Sequence, residues 1–95
     1  MPLETTPWDV TEFLTDEAAI AAYIEAVMED GDPALVAAAI GDIARARGMT
    51  QIAQETGRSR ESLYRALSER GNPELATLMG VLKALGLKLS VKPVT

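Results

Sequence analysis

Residues 49 to 67, MTQIAQETGRSRESLYRAL, decide how this chain folds. The stretch reads as two short helices joined at a glycine. Thr50 can cap the first helix, and Ile52 and Ala53 give it a buried side. Gly57 supplies the tight turn, where a residue without a Cβ is easily accommodated. Ser59 opens the second helix, and Leu63, Ala66 and Leu67 form its inner side at helical spacing. Ser59, Arg60, Glu61, Tyr64, Arg65 and Ser68 are left facing outward. A helix-turn-helix distributes its residues in this way, laying the second helix in the DNA major groove with its N-terminal half against the base edges. The plain alternative is a helical hairpin in a small bundle. Arg58, Arg60 and Arg65 fall within eight positions, beside the hydrogen-bonding Ser59 and Tyr64. A merely solvated helix face more often mixes Lys and Glu evenly, so these residues favour the DNA-binding reading.

Outward from this stretch the chain supplies three more helices. Asp32-Pro33 is a strong start, a capping carboxylate followed by proline at the first helical position. Leu35, Val36, Ala39, Ile40 and Ile43 form the buried stripe of that helix, and Gly48 stops it. Arg45 and Arg47 sit in its last turn, where cations complement the helix dipole, and phosphate contact by them stays open. Before it, Thr15 can cap a helix with Asp16 and Glu17 in its first turn and Ile20, Tyr23, Ile24, Val27 and Met28 at helical spacing up to Gly31. Residues 1 to 14 are expected to be irregular or partly helical, with Trp8, Val10, Phe13 and Leu14 as hydrophobic anchors.

On the C-terminal side, Gly71 ends a segment, Asn72 caps the next helix, and Pro73 and Glu74 begin it. Leu75, Leu78, Met79, Leu82 and Leu85 line its inner side, and Gly86 ends it. The free N–H groups at such a start suit a phosphate, so Asn72 can serve capping, backbone contact or both. LKLSVK, residues 87 to 92, alternates apolar and polar and reads as a half-buried strand. One strand is not stable alone. Its partner must come from the N-terminal arm, a second copy of the chain or another protein. The expectation is an all-α fold of five helices with a short C-terminal β-strand. It divides into an acidic arm and helix (1–31), a core (32–86) and a strand-like tail (87–95).

Ninety-five residues, 47% of them apolar, suit one domain with a modest core. With no cysteine, disulfides and thiolate metal sites are excluded. The absence of histidine removes the usual general base and the commonest metal ligand. No metal or other cofactor is expected. No apolar run approaches a membrane span. The acidic opening MPLETTPWDV lacks the basic region of a signal peptide, so a cytoplasmic location is expected. The net charge of −5 is unevenly spread. Residues 1 to 44 hold ten acids and no Lys or Arg, whereas residues 45 to 95 hold nine bases and four acids. Such polarity offers one surface to phosphates and another to something positive.

Taken together, the WDVTEFL arm, DPALVAAAIGDIARARGMTQIAQETG, SRESLYRALS and GNPELATLMGVLKALGLKL resemble the HigA-like addiction-module antidote proteins. These form a branch of the phage-repressor-type (XRE/Cro-like) helix-turn-helix family, and the likeness covers nearly the whole chain. The resemblance implies a type II antitoxin that neutralises a small basic ribonuclease toxin of the RelE/HigB-like kind and represses its own operon as a homodimer. It also implies that Gln51 contacts phosphate or a neighbouring base. Ser59, Arg60, Tyr64 and Arg65 match the base-reading and backbone-contacting positions. One departure stands out. The residue after the turn glycine is usually apolar and tucked inward, but here it is Arg58, which either swings toward the DNA backbone or loosens the packing.

The candidate DNA-binding residues are therefore Thr50, Gln51, Ser59, Arg60, Glu61, Tyr64, Arg65 and Asn72. Arg60 lies in the first turn and points outward, so it is the expected reader of guanine O6 and N7, a contact giving about 1–3 kcal/mol of discrimination. Ser59 and Gln51 can hold phosphates, and Tyr64 and Arg65 can meet phosphate or a thymine methyl. Two copies would read palindromic half-sites about 34–36 Å apart on double-stranded operator DNA. Glu12, Asp16, Glu17, Glu25, Glu29, Asp30 and Asp32 could cover a basic ribonuclease surface or steer the encounter. Three other classes compete with this reading: a free-standing phage-type repressor, a helical interaction module without DNA, and an enzyme. The last is disfavoured, because there is no nucleophile–base pair and no glycine-rich phosphate loop.

Overall fold

The computed structural model describes residues 16–94. They form α1 (Glu17–Asp30), α2 (Pro33–Arg47), α3 (Met49–Thr56), α4 (Arg60–Ala66) and α5 (Leu75–Ala84). Local chemistry sets most of the helix ends. The expected cap Thr15 lies outside the described residues, and Asp16 caps α1 instead, its carboxylate accepting from the Ala19 N–H at 2.7 Å. Gly31 closes α1 in the left-handed conformation, φ 79°. Asp32 caps α2 through the Ala34 N–H, and Pro33 occupies the first position, as the sequence indicated. Gly48 alone separates α2 from α3 and serves as the end of one and the start of the other. Thr50 is thereby drawn into α3 and does not cap it, contrary to expectation.

The anchors proposed at Trp8, Val10, Phe13 and Leu14 also lie outside the described residues. All five helices feed one core. Ile20 and Ile24 come from α1; Ile40, Ile43 and Ala44 from α2; Met49, Ile52 and Ala53 from α3; Leu63 from α4, with Leu67 just beyond it; and Val81, Leu82 and Leu85 from α5 or its end. Each buried Leu or Ile contributes roughly 1.5–3 kcal/mol of transfer free energy, set against the entropy of ordering the chain. Four expected inner residues are turned out, Met28 on α1 among them at 37% exposed. Leu35 on α2 is 44% exposed, and Leu75 and Met79 on α5 are 64% and 50% exposed. On α5 the buried positions are Thr77, Val81 and Leu82, with Leu78 half-buried, which rotates the inner face away from Leu75 and Met79.

Asn72 and Pro73 precede α5 and stand outside it. Glu74 is the N-cap, without a side-chain capping bond, so the expected Asn72 cap is corrected. The expected β-strand is absent among the described residues. Leu87 and Leu89 are half-buried against the core while Lys88 and Ser90 are exposed, so the alternation is present in the burial. A strand also needs a neighbour to bond with, and no ladder partner occurs among the described residues. The tail is tied back by an ion pair between Lys92 Nζ and Glu25 Oε2 on α1, at 2.5 Å.

Candidate nucleic-acid interface

α3 and α4 are joined by three residues, Gly57 to Ser59. Gly57 takes the left-handed conformation, φ 72°, and both its N–H and that of Arg58 donate to the Ala53 carbonyl, at 2.9 and 3.2 Å. This double bond to one acceptor closes α3 and turns the chain within a residue. Ser59 then caps α4: its Oγ accepts from the Ser62 N–H at 3.0 Å, in extended backbone. Leu63 and Leu67 fix the inner side, both fully buried, with Ala66 half-buried between them.

The opposite side is open. Arg58, Ser59, Arg60, Glu61, Tyr64 and Arg65 are all exposed. Arg58 therefore resolves its ambiguity by pointing out. Ser68, also expected outward, is half-buried and donates to the Arg65 carbonyl at 3.0 Å. Thr50 and Gln51, on the first turn of α3, are exposed as well. Arg60 Nη1 donates to Thr50 Oγ1 at 3.3 Å, so the starts of α3 and α4 meet at the proposed reading residue. Gln51 Nε2 donates to Glu55 Oε2 at 3.1 Å. Asn72 is exposed in the connection to α5, and no described hydrogen bond links it to the other seven candidates.

One cation joins this surface that the sequence had given a different part. The Arg45 guanidinium lies over the Tyr64 ring, 6.0 Å from its centroid, and also pairs with Asp42. Its position in the last turn of α2 explains it locally, but eighteen residues of chain lie between it and Tyr64, and no periodicity spans that gap. Arg58, Arg60 and Arg65 make no ion pair among the described residues. Their charges are available to an anion.

Asp16, Glu17, Glu25, Glu29, Asp30 and Asp32 are likewise exposed, and Glu12 lies outside the described residues. Lys92 holds the Glu25 carboxyl below its ordinary value, by hydrogen bond first and by charge second. Lys92 is raised in return. Both groups are solvent-exposed, so the pair is a tether of little energetic weight. No helix among the described residues is long and apolar enough to cross a membrane.

A family model described as probable addiction module antidote protein matches residues 4–93. The chain is 49% identical over 85 residues to an uncharacterized protein of Haemophilus influenzae (strain Rd), an alignment covering 90% of this chain and 88% of that one. No solved structure matches.

Proposed function

The chain belongs to the family of probable addiction module antidote proteins, and on that premise we propose that it is the HigA-like antitoxin of a type II pair. It neutralises a small basic ribonuclease of the RelE/HigB-like kind and binds its own operator as a homodimer. The observation that carries the DNA half is the exposed side of α4, where Arg58, Ser59, Arg60, Glu61, Tyr64 and Arg65 all reach solvent behind a fully buried Leu63.

Read as a helix-turn-helix, α3 crosses the backbone and α4 enters the major groove. A helix with its side chains is about 10–12 Å across, which fits a groove about 12 Å wide. Arg60 stands in the first turn and is aimed by Thr50, so it offers its fork to guanine O6 and N7. Arg58, Arg65 and Arg45 surround it with charge for phosphates, while Gln51 and Ser59 add polar contacts. The toxin half rests on family membership and on the acid-rich first 44 residues. A ribonuclease must attract RNA phosphates, so its surface is basic and complements these carboxylates.

Anisotropy titrations against the chain's own upstream DNA and a scrambled duplex test the DNA half. Arg60→Ala should relax the preference between the two, whereas Arg65→Ala should weaken both alike and lower the salt slope by about one. Equal losses on both duplexes for Arg60→Ala would refute its reading role. Co-purification with the protein encoded by the adjacent gene tests the other half. If no small basic protein is encoded there, the free-standing repressor becomes the better reading.

A further inference from the structure

A groove runs from α5 onto the tail, and it is apolar and basic at once. Met79, Leu87 and Leu89 supply its apolar lining, Lys83 and Lys88 supply its charge, and no described acid lines it. Its volume is about 710 Å³, room for several large side chains. Met79 is 50% exposed on a helix whose other side is buried, which marks an interaction surface rather than scattered exposure. Neither lysine has an ion-pair partner among the described residues. Gly86 lines the groove where α5 gives way to the tail. Glu17, the first residue of α1, lies over that glycine: a Cβ there would stand 2.9 Å from Glu17 Cγ. The chain therefore enters α1 beside this groove, and fifteen residues precede Asp16.

We infer that this groove is the seat of the chain's own residues 1–15, with Trp8, Val10, Phe13 and Leu14 against its apolar lining and Glu4, Asp9 and Glu12 beside Lys83 and Lys88. Two properties select this occupant. The segment joins those four apolar residues to three acids and has no Lys or Arg, so it complements the groove in both respects. It also reaches. Gly86 and Met79 are about 10 Å apart along α5. Trp8 lies eight residues before Asp16, a span of about 12 Å at helical rise and up to about 26 Å at full extension. Attachment to the chain makes docking intramolecular, equivalent to about millimolar concentration, so modest contacts suffice. Other pairings fit less well. A second copy presenting the same groove would set lysines against lysines, and a basic partner is repelled by the same two charges. The neighbouring groove beside Ile24 and Met28 carries Glu25 and Glu29, which oppose an acidic segment. The open side of α4 offers three arginines but buries its Leu63. The inference assumes neither DNA binding nor a toxin.

Trp8 is the single tryptophan of the chain, so its fluorescence reports the docking directly. In the native full chain its emission should be blue-shifted and shielded from acrylamide. Met79→Glu, and separately Lys83→Glu with Lys88→Glu, should move the emission to the red and raise the quenching constant several-fold. All three sites are exposed, so the helical circular dichroism should persist. Adding Asp9→Lys and Glu12→Lys to the lysine pair should restore the native emission. Solvent-like emission from the native chain, or native emission in both groove variants, overturns the inference. So does a red shift that follows Arg58→Glu with Arg65→Glu instead. Failure of the added lysines to restore the emission overturns the charge pairing. The chain has no cysteine, so Ala76→Cys can carry one spin label, a turn of helix from Met79. The label should broaden the Trp8 indole N–H signal of its own molecule. Isotope-labelled native chain mixed with an excess of unlabelled, spin-labelled chain should lose that broadening. Broadening that survives there in full assigns the groove to another copy's segment and overturns the inference.

Discussion

Gly41 should resist replacement, whereas Gly80 should improve when replaced. Both lie inside helices with ordinary backbone angles. By helix propensity alone, alanine at either should gain about 1 kcal/mol. Their surroundings differ. A Cβ at Gly41 would stand 2.1 Å from the Leu67 carbonyl oxygen and 3.0 Å from the Leu67 Cβ. Carbon and oxygen normally approach no closer than about 3.3 Å, so more than an ångström must be found. The obstruction is backbone, which cannot rotate aside. Leu67 is itself fully buried, and its N–H is bonded to the Leu63 carbonyl at 2.9 Å. Relief then requires moving the end of α4 off α2. Overpacking costs about 1–3 kcal/mol, and a backbone obstruction belongs at the upper end. After the propensity gain, Gly41→Ala should lose about 2 kcal/mol, and at about 4–8 °C per kcal/mol its Tm should fall by about 8–16 °C. At Gly80 a Cβ meets only Thr56 Cγ2 at 3.6 Å, an ordinary contact. Gly80→Ala should therefore keep the propensity gain, raising Tm by about 4–8 °C. Thermal unfolding followed by circular dichroism, at one fixed protein concentration, measures both. A Gly41→Ala Tm at or above the native value would show that α2 and α4 do not meet as described.

Three further outcomes follow from the same contacts. Ser59→Ala removes the α4 cap and should cost about 1 kcal/mol, read as a lower urea midpoint at unchanged slope; an unchanged midpoint would mean that the cap is idle. Leu63→Ala should cost about 2–5 kcal/mol, a large share of a small domain's stability, and leave the chain partly unfolded at room temperature; a native-like melting curve would contradict its burial. Glu25 is depressed by Lys92, so the tether contributes at neutral pH and is lost as acidification takes Glu25 below its ordinary range and through its lowered value. The Glu25 carboxyl followed by NMR should titrate low in the native chain and return to ordinary in Lys92→Met; the same midpoint in both would show that the pair does not form in solution.

The helix count and most boundaries were legible because their causes are local. Asp32-Pro33, Gly31, Gly48, Gly57 and Ser59 each act within a turn of where they stand. The failures lie where the cause is distant. Along LATLMGVLKAL apolar residues occur on more than one side of the helix, so spacing allowed an inner face through Leu75 and Met79. Only packing against the other helices selects Thr77, Val81 and Leu82 instead. Thr50 has capping chemistry, but a one-residue connection at Gly48 starts α3 before it. Pro73 promised a helix start, and the helix begins two residues later. The alternation in LKLSVK is real as burial, yet a strand is defined by a neighbour that one segment does not specify. Exposure of the α4 candidates followed from periodicity. The approach of Arg45 to Tyr64 did not, because it depends on how α2 crosses α4.

On the proposed DNA reading, the division within α4 bears on how the protein could change its target. What seats the helix is on its inner side or at its ends: Leu63, Leu67 against Gly41, and the Ser59 cap. What faces outward makes few internal contacts. Among the described residues, Arg60 is tied to Thr50 by one exposed hydrogen bond of 3.3 Å, and Tyr64 meets Arg45 only across 6.0 Å. Substitutions at exposed positions of this kind usually change stability by no more than about 0.5 kcal/mol. A single altered base contact is worth about 1–3 kcal/mol of discrimination. On the proposed DNA reading the second quantity exceeds the first, so residues 60, 61, 64 and 65 could be rewritten for a new sequence while the fold is left intact.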